Sequence, residues 1–165
     1  MTRPQKGILS AVILIGAAGV LLSFGGDREK HAIRDKLNAL VELVEKDGAV
    51  SKFEALGRAR KFKAIFDSGA FIEYLPSKSL SIRSDAMQSG FLRAWTQIDF
   101  ASIRISQHDV EIDSAGAKAV STFFAECRIA MDGSSPMSDT VFYRAYWVKA
   151  DGEWLIEGIV AENTR

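Results

Sequence analysis

Cysteine is almost missing from this chain. Cys127 is the only one in 165 residues, so no disulfide can close within the chain. Histidine is nearly as scarce, with His31 and His108 alone, which excludes the usual clustered zinc sites. An excess of charge is missing too. Lys and Arg number 21 against 21 Asp and Glu, and after residue 26 the balance is 19 against 21, or −2. A near-neutral domain argues against nucleic acid as a partner. There is no Ser/His/Asp order, nucleophile elbow, glycine-rich phosphate loop or metal-binding motif, and no cofactor is expected. Repeats and low-complexity tracts are also absent. What remains is 47% hydrophobic and 10% aromatic, the composition of a folded chain.

The first 26 residues differ from the rest. Arg3 and Lys6 precede a stretch, Gly7 to Gly26, that holds no charged residue, and Ile8 to Phe24 is almost wholly apolar. Such a run is at the short end of what spans a bilayer as a helix. Three segments follow: a short tail, 1–7; a transmembrane helix or signal peptide, 8–26; and a domain of 139 residues, 27–165, enough to bury a core. Basic residues before the run place the tail in the cytoplasm and the domain beyond the membrane. The expectation is a single-pass protein of a bacterial inner membrane with its domain in the periplasm. The alternative is a secreted or periplasmic protein cleaved near Gly25. No cysteine sits near the end of the run, so it is not a lipoprotein signal.

Beyond it, Ile33, Leu37, Leu40, Val41 and Val44 predict a helix over Asp27 to Asp47, ended by Gly48. Ser51-Lys52-Phe53-Glu54 is a capping box opening a second helix to about Phe66, with Phe53, Leu56, Phe62, Ile65 and Phe66 as its apolar contacts. Two short strands, 71–75 and 79–83, precede a third helix, 84–95, burying Met87, Phe91, Ala94 and Trp95. Strands then fill the chain. Apolar parity switches between Ile98/Phe100, Ile103/Ile105 and Val110/Ile112, which requires a bulge. Ala117 to Met131 and Thr140 to Lys149 are long strands, and Asp151-Gly152 is a hairpin turn leading into Trp154 to Ala161.

Helices and strands are segregated, so the fold class is α+β: three N-terminal helices packed on a curved antiparallel sheet. Val110-Glu111-Ile112-Asp113 before a turn and long strand, and Tyr146-Trp147-Val148-Lys149-Ala150-Asp151-Gly152-Glu153-Trp154-Leu155-Ile156, carry a resemblance. Over residues 28 to 162 the order is similar to the NTF2-like superfamily, the cone fold shared with ketosteroid isomerases and SnoaL-type cyclases. The resemblance implies a pocket between the concave face and the helices, and pairing of domains through their sheets. It implies no residue-level chemistry, because the first helix lacks the tyrosine that isomerase chemistry uses.

Pocket candidates are Asp99, His108, Glu126 and Arg128. Glu126 and Arg128 share a strand face, with Arg144 on a possible neighbour; a cross-strand ion pair is the simpler reading. Cys127 reads as a buried thiol. Lys52, Arg58, Arg60, Lys61 and Lys63 make the second helix basic, a solvated face or a contact for anionic lipid or an acidic partner. Phe142, Tyr143, Tyr146, Trp147 and Trp154 put aromatics at both strand parities, predicting a second covered face and a partner there, a homodimer or other envelope subunits. The functional expectation is a membrane-anchored, non-catalytic binding or assembly module of an envelope complex. The alternative is a small-molecule binder or SnoaL/ketosteroid-isomerase-like enzyme using the cone pocket. A pocket filled by Phe53, Phe91, Trp95 and Phe123 favours the first. Two carboxylates, or a Tyr–Asp pair, in an open pocket favour the enzyme.

Overall fold

The computed structural model describes residues 26–73, 81–131 and 133–162. The apolar run 8–24 lies outside them. Among the described residues no helix is long and apolar enough to cross a membrane.

Helix α1 covers 26–44 and buries Ile33, Leu37 and Leu40. It stops short of the expected Asp47 because its last carbonyls are claimed from elsewhere. Arg58 donates to Glu42 O and Glu45 O, and Trp95 Nε1 donates to Val44 O at 3.1 Å. The chain then forms a two-residue strand, β1 (Lys46–Asp47), and turns at Gly48 with φ +82.

Helix α2 is Lys52–Ala64, and Ser51 caps it by accepting from Glu54 N at 3.1 Å. Its buried residues are Ala55, Ala59 and Phe62. Phe53, expected as a core contact, is 90% exposed, because the line Ala55–Ala59–Phe62 leaves it on the opposite side of the helix. Strands β2 (Phe66–Glu73) and β3 (Ser81–Arg83) lead into α3 (Ser84–Thr96), which buries Met87, Phe91 and Trp95. Ala94 instead faces solvent.

Four long strands follow: β4 (Ile98–Ile112), β5 (Lys118–Met131), β6 (Met137–Ala150) and β7 (Glu153–Glu162). The sheet order is β1-β4-β5-β6-β7-β2-β3. One pairing departs from the expected antiparallel sheet: β2 runs parallel to β7. No tight turn links these two strands, so nothing local sets their direction. Gly158 of β7 makes room there, since an added Cβ would sit 2.7 Å from the Phe71 ring.

The parity switches of β4 appear as register shifts between Ile98 and Phe100 and between Ser106 and Asp109. Gln107 sits at the second with φ 51. Asp151 (φ 50) and Gly152 (φ 83) form the β6–β7 turn, the pair of positive φ values that such hairpins use. One contiguous core joins all three helices to the inner face of the sheet.

Candidate functional site

The bulge in β4 decides what faces the helices. Before it, Ile103 and Ile105 point inward; after it, His108 and Val110 do. The partners on β5 are Cys127 and Ala125 before the bulge and Ser121 after it, with Phe123 opposite the extra residue. Tyr143 of β6 pairs with Phe123. Three rings therefore cross three strands in a row. His108 meets Phe123 edge-on at 5.5 Å, and Phe123 stacks on Tyr143 at 5.8 Å.

Between this floor and the helices lies a cavity of about 280 Å³. Leu37, Leu40, Val41 and Val44 of α1 form its roof. Phe62, Phe66 and Ile72 close one side, and Ile103, Ile105, Phe123, Ala125, Cys127, Tyr143 and Ile159 form the floor. Only two of these side chains carry a polar atom, the Cys127 thiol and the Tyr143 hydroxyl. Burial raises the pKa of both, with Tyr143 pushed up to about 12. Both are protonated at neutral pH. They can donate a hydrogen bond, but neither supplies a ready base. Among the described residues, no carboxylate and no imidazole lines the cavity.

Neighbouring aromatics close the cone rather than fill it. Phe62 stacks on Phe91 at 4.5 Å, and Phe91 on Trp95 at 5.9 Å. Lys46 and Arg58 lie 4.9 and 5.2 Å from the Trp95 ring, cation–π contacts that the helix-end hydrogen bonds hold in place. Lys46 also donates to Trp95 O at 3.0 Å and to Ile98 O, tying off the end of α3. At the opposite end, Trp147 is fully buried and donates to the buried Ser121 Oγ at 2.9 Å.

Each residue singled out from the sequence has a definite place. Asp99 is exposed, and its carboxylate accepts from Gly133 N at 3.1 Å, bracing a turn. His108 is half-buried beside the cavity wall. Its Nε2 is buried without a hydrogen-bond partner among the described residues. Desolvation, followed by the charge of Arg34, lowers its pKa against the opposing pull of Asp109, so the ring is neutral at pH 7. Glu126 lies on the outer face with Arg104 opposite, their charges 3.7 Å apart. Arg128 is exposed on the same face. Arg144 pairs with Glu162 at 3.0 Å rather than with Glu126. None of the four pocket candidates lines the cavity.

The aromatic set divides. Phe142 and Tyr146 lie on the outer face, where Phe142 meets Phe124 at 5.0 Å. Tyr143 points into the cavity. Trp147 and Trp154 are core residues, 0% and 3% exposed. On α2, Lys52, Arg60, Lys61 and Lys63 are exposed, while Arg58 is engaged with Glu54, Trp95 and the end of α1. The cavity floor was only half visible in the sequence. Phe123, Ala125 and Cys127 alternate on one strand face, but the β5–β6 register that adds Tyr143 leaves no local mark. Among the described residues no group of three His, Cys, Asp or Glu side chains is placed to hold a metal.

No family model matches the chain, and no curated protein matches it by sequence. Solved structures do match. One is a Novosphingobium aromaticivorans protein provisionally assigned as a scytalone dehydratase, with TM-score 0.66, 14% identity, and coverage of 85% of this chain and 87% of that one. Another is provisionally assigned as a dehydratase of the NTF2-like family from Streptomyces avermitilis, with TM-score 0.67, 9% identity, and coverage of 84% and 99%. A third is a type 2 hexachlorocyclohexane dehydrochlorinase, LinA, with TM-score 0.65, 14% identity, and coverage of 85% and 86%. At these identities the likeness concerns the fold, and the fold is NTF2-like: an α+β cone of three helices on a curled sheet.

Proposed function

We propose that this chain is a non-catalytic binding module that holds a small apolar molecule in its cone. The carrying observation is the cavity itself. Its volume is about 280 Å³ and its walls are aliphatic and aromatic, with one thiol and one phenol as the polar atoms. An apolar cavity of about 150 Å³ is already enough to take benzene, so one or two fused rings fit here. The Phe123–Tyr143 stack on the floor favours a flat molecule, and the Tyr143 hydroxyl can orient one polar substituent. The dehydratase and dehydrochlorinase names belong to the neighbours. Elimination needs a base beside the reacting carbon, and among the described residues no side chain lining this cone is one. Titrating the full chain with 2-naphthol, followed by the naphthol's own fluorescence, tests the reading. One saturable site, with the naphthol recovered unchanged, is expected.

The module is proposed to sit at a membrane. The support is the charge-free run 8–24 behind Arg3 and Lys6, which would anchor the chain in a bacterial inner membrane with the cone on the periplasmic side. Cleavage near Gly25 is the alternative, and N-terminal sequencing of the protein recovered from cells separates the two.

The outer sheet face supports a second contact. Phe124 meets Phe142 there, and Val120 pairs with Tyr146 on the far side of the Thr122–Arg144 pair. A second copy, or another envelope protein, would cover this patch. Sedimentation of the full chain in detergent, compared with Phe142→Glu, tests it. A dimer that Phe142→Glu dissociates is expected.

A further inference from the structure

Helix α2 presents two unlike faces. Ala55, Ala59 and Phe62 pack inward. On the opposite side, at about 100° per residue, Phe53 and Arg60 fall on one line. Lys52, Leu56 and Lys63 flank that line on one side, and Gly57, Lys61 and Ala64 on the other. Phe53 is 90% exposed with Lys52 beside it, and Arg60, Lys61 and Lys63 are exposed about two to three turns further along the helix. Acidic groups stay off this arc. Glu54 lies at its border and pairs with Arg58 at 3.3 Å. Glu42 and Glu153 lie across the groove towards α1, where Glu153 pairs with Lys36 at 3.5 Å.

We propose that this face of α2 docks on an anionic lipid surface, with Phe53 inserted among the headgroups and Lys52, Arg60, Lys61 and Lys63 meeting it along the helix. A phenylalanine left exposed on a basic helix face gains nothing from water. At a bilayer interface the ring leaves water, while the long basic side chains reach the phosphates. Charge complementarity selects an anionic surface over a neutral one. The place of the apolar run selects lipid over an acidic protein or nucleic acid. It ends at Phe24, two residues before the start of α1. The proposal rests on the tether reading only in that a bilayer is then at hand. The consequence is geometric: a domain held both by its N-terminal side and by α2 lies against the membrane instead of standing off from it.

The test uses the full chain carrying Phe53→Trp, mixed with vesicles whose acyl chains are brominated. Trp95, Trp147 and Trp154 are at most 3% exposed, so bromine quenching reports the new indole. Quenching is expected in vesicles containing phosphatidylglycerol, and little in phosphatidylcholine alone. Each cation removed should weaken the docked fraction by about fivefold, so Arg60→Glu with Lys63→Glu abolishes quenching, and so does raised salt. Equal quenching in both lipids, or none in the anionic ones, overturns the proposal. Failure of the tether shows separately, as loss of sedimentation with phosphatidylcholine vesicles at high salt.

Discussion

The Trp154 indole nitrogen donates to the Glu29 carboxylate at 2.6 Å, joining the start of α1 to the β6–β7 hairpin. Lys149 donates to the other carboxylate oxygen at 2.8 Å. The cone roof is therefore pinned at both ends, by Glu29 at its start and by Arg58 and Trp95 at its finish. The lining residues Leu37 to Val44 lie between these two fixtures.

Trp154→Phe should leave Glu29 with Lys149 alone. The lost bond is charge-assisted but part-exposed, so the cost is about 1–2 kcal/mol. The hydrogen bonds from Lys149 and Trp154 hold the Glu29 pKa below its ordinary value. Their stabilisation is present above that value and is lost as pH falls through the folded-state pKa. Denaturant midpoints at neutral pH should show the cost, and the difference between variant and parent should shrink in acid.

Ser121→Ala removes the acceptor of the buried Trp147 Nε1. An orphaned indole N–H costs about 1–3 kcal/mol. Trp147→Phe in the Ser121→Ala background should then cost less than it does alone, and a double-mutant cycle by chemical denaturation measures the coupling.

His108 sets a different acid limit. Its folded-state pKa is below the ordinary 6.5, chiefly through burial. As pH falls, the unfolded chain takes up the proton first. Stability is full above 6.5 and declines as pH falls towards the folded-state pKa. His108→Gln should flatten this decline as pH falls below 6.5. Urea midpoints across that range test it.

Cys127 should be slow to react. It lines the cavity, and burial followed by the charge of Asp139 raises its pKa, so little thiolate is present at neutral pH. Modification by a disulfide reagent should trail that of a free cysteine by at least tenfold. Bound 2-naphthol should slow it further, and a rate unchanged by naphthol would place the ligand elsewhere.

The sequence made the periodic parts of this fold legible. The β4 bulge followed from apolar parity alone, the Ser51 cap from its capping box, and the last turn from Asp151-Gly152. Long-range partners were not legible. Arg58 looks like one of five solvent cations, yet it caps α1 and packs on Trp95. Phe53 looks like core, yet it is exposed, because the two alanines of α2 allow the close approach that fixes its buried side. Aromatics at both parities of β6 and β7 suggested one partner face. Trp147, Trp154 and Tyr143 instead face the helices, and only Phe142 and Tyr146 face out. For the cavity, the residues that mattered were apolar, and apolar residues carry no chemical mark in a sequence.

The most direct measurement compares 2-naphthol binding to the full chain and to Ala125→Phe. Ala125 is 3% exposed on the cavity floor, and a phenyl group there takes up cavity volume. The account predicts one saturable site in the parent chain, lost in Ala125→Phe while the variant unfolds as cooperatively as the parent. Equal binding by both chains, or no saturable binding by the parent, would contradict it.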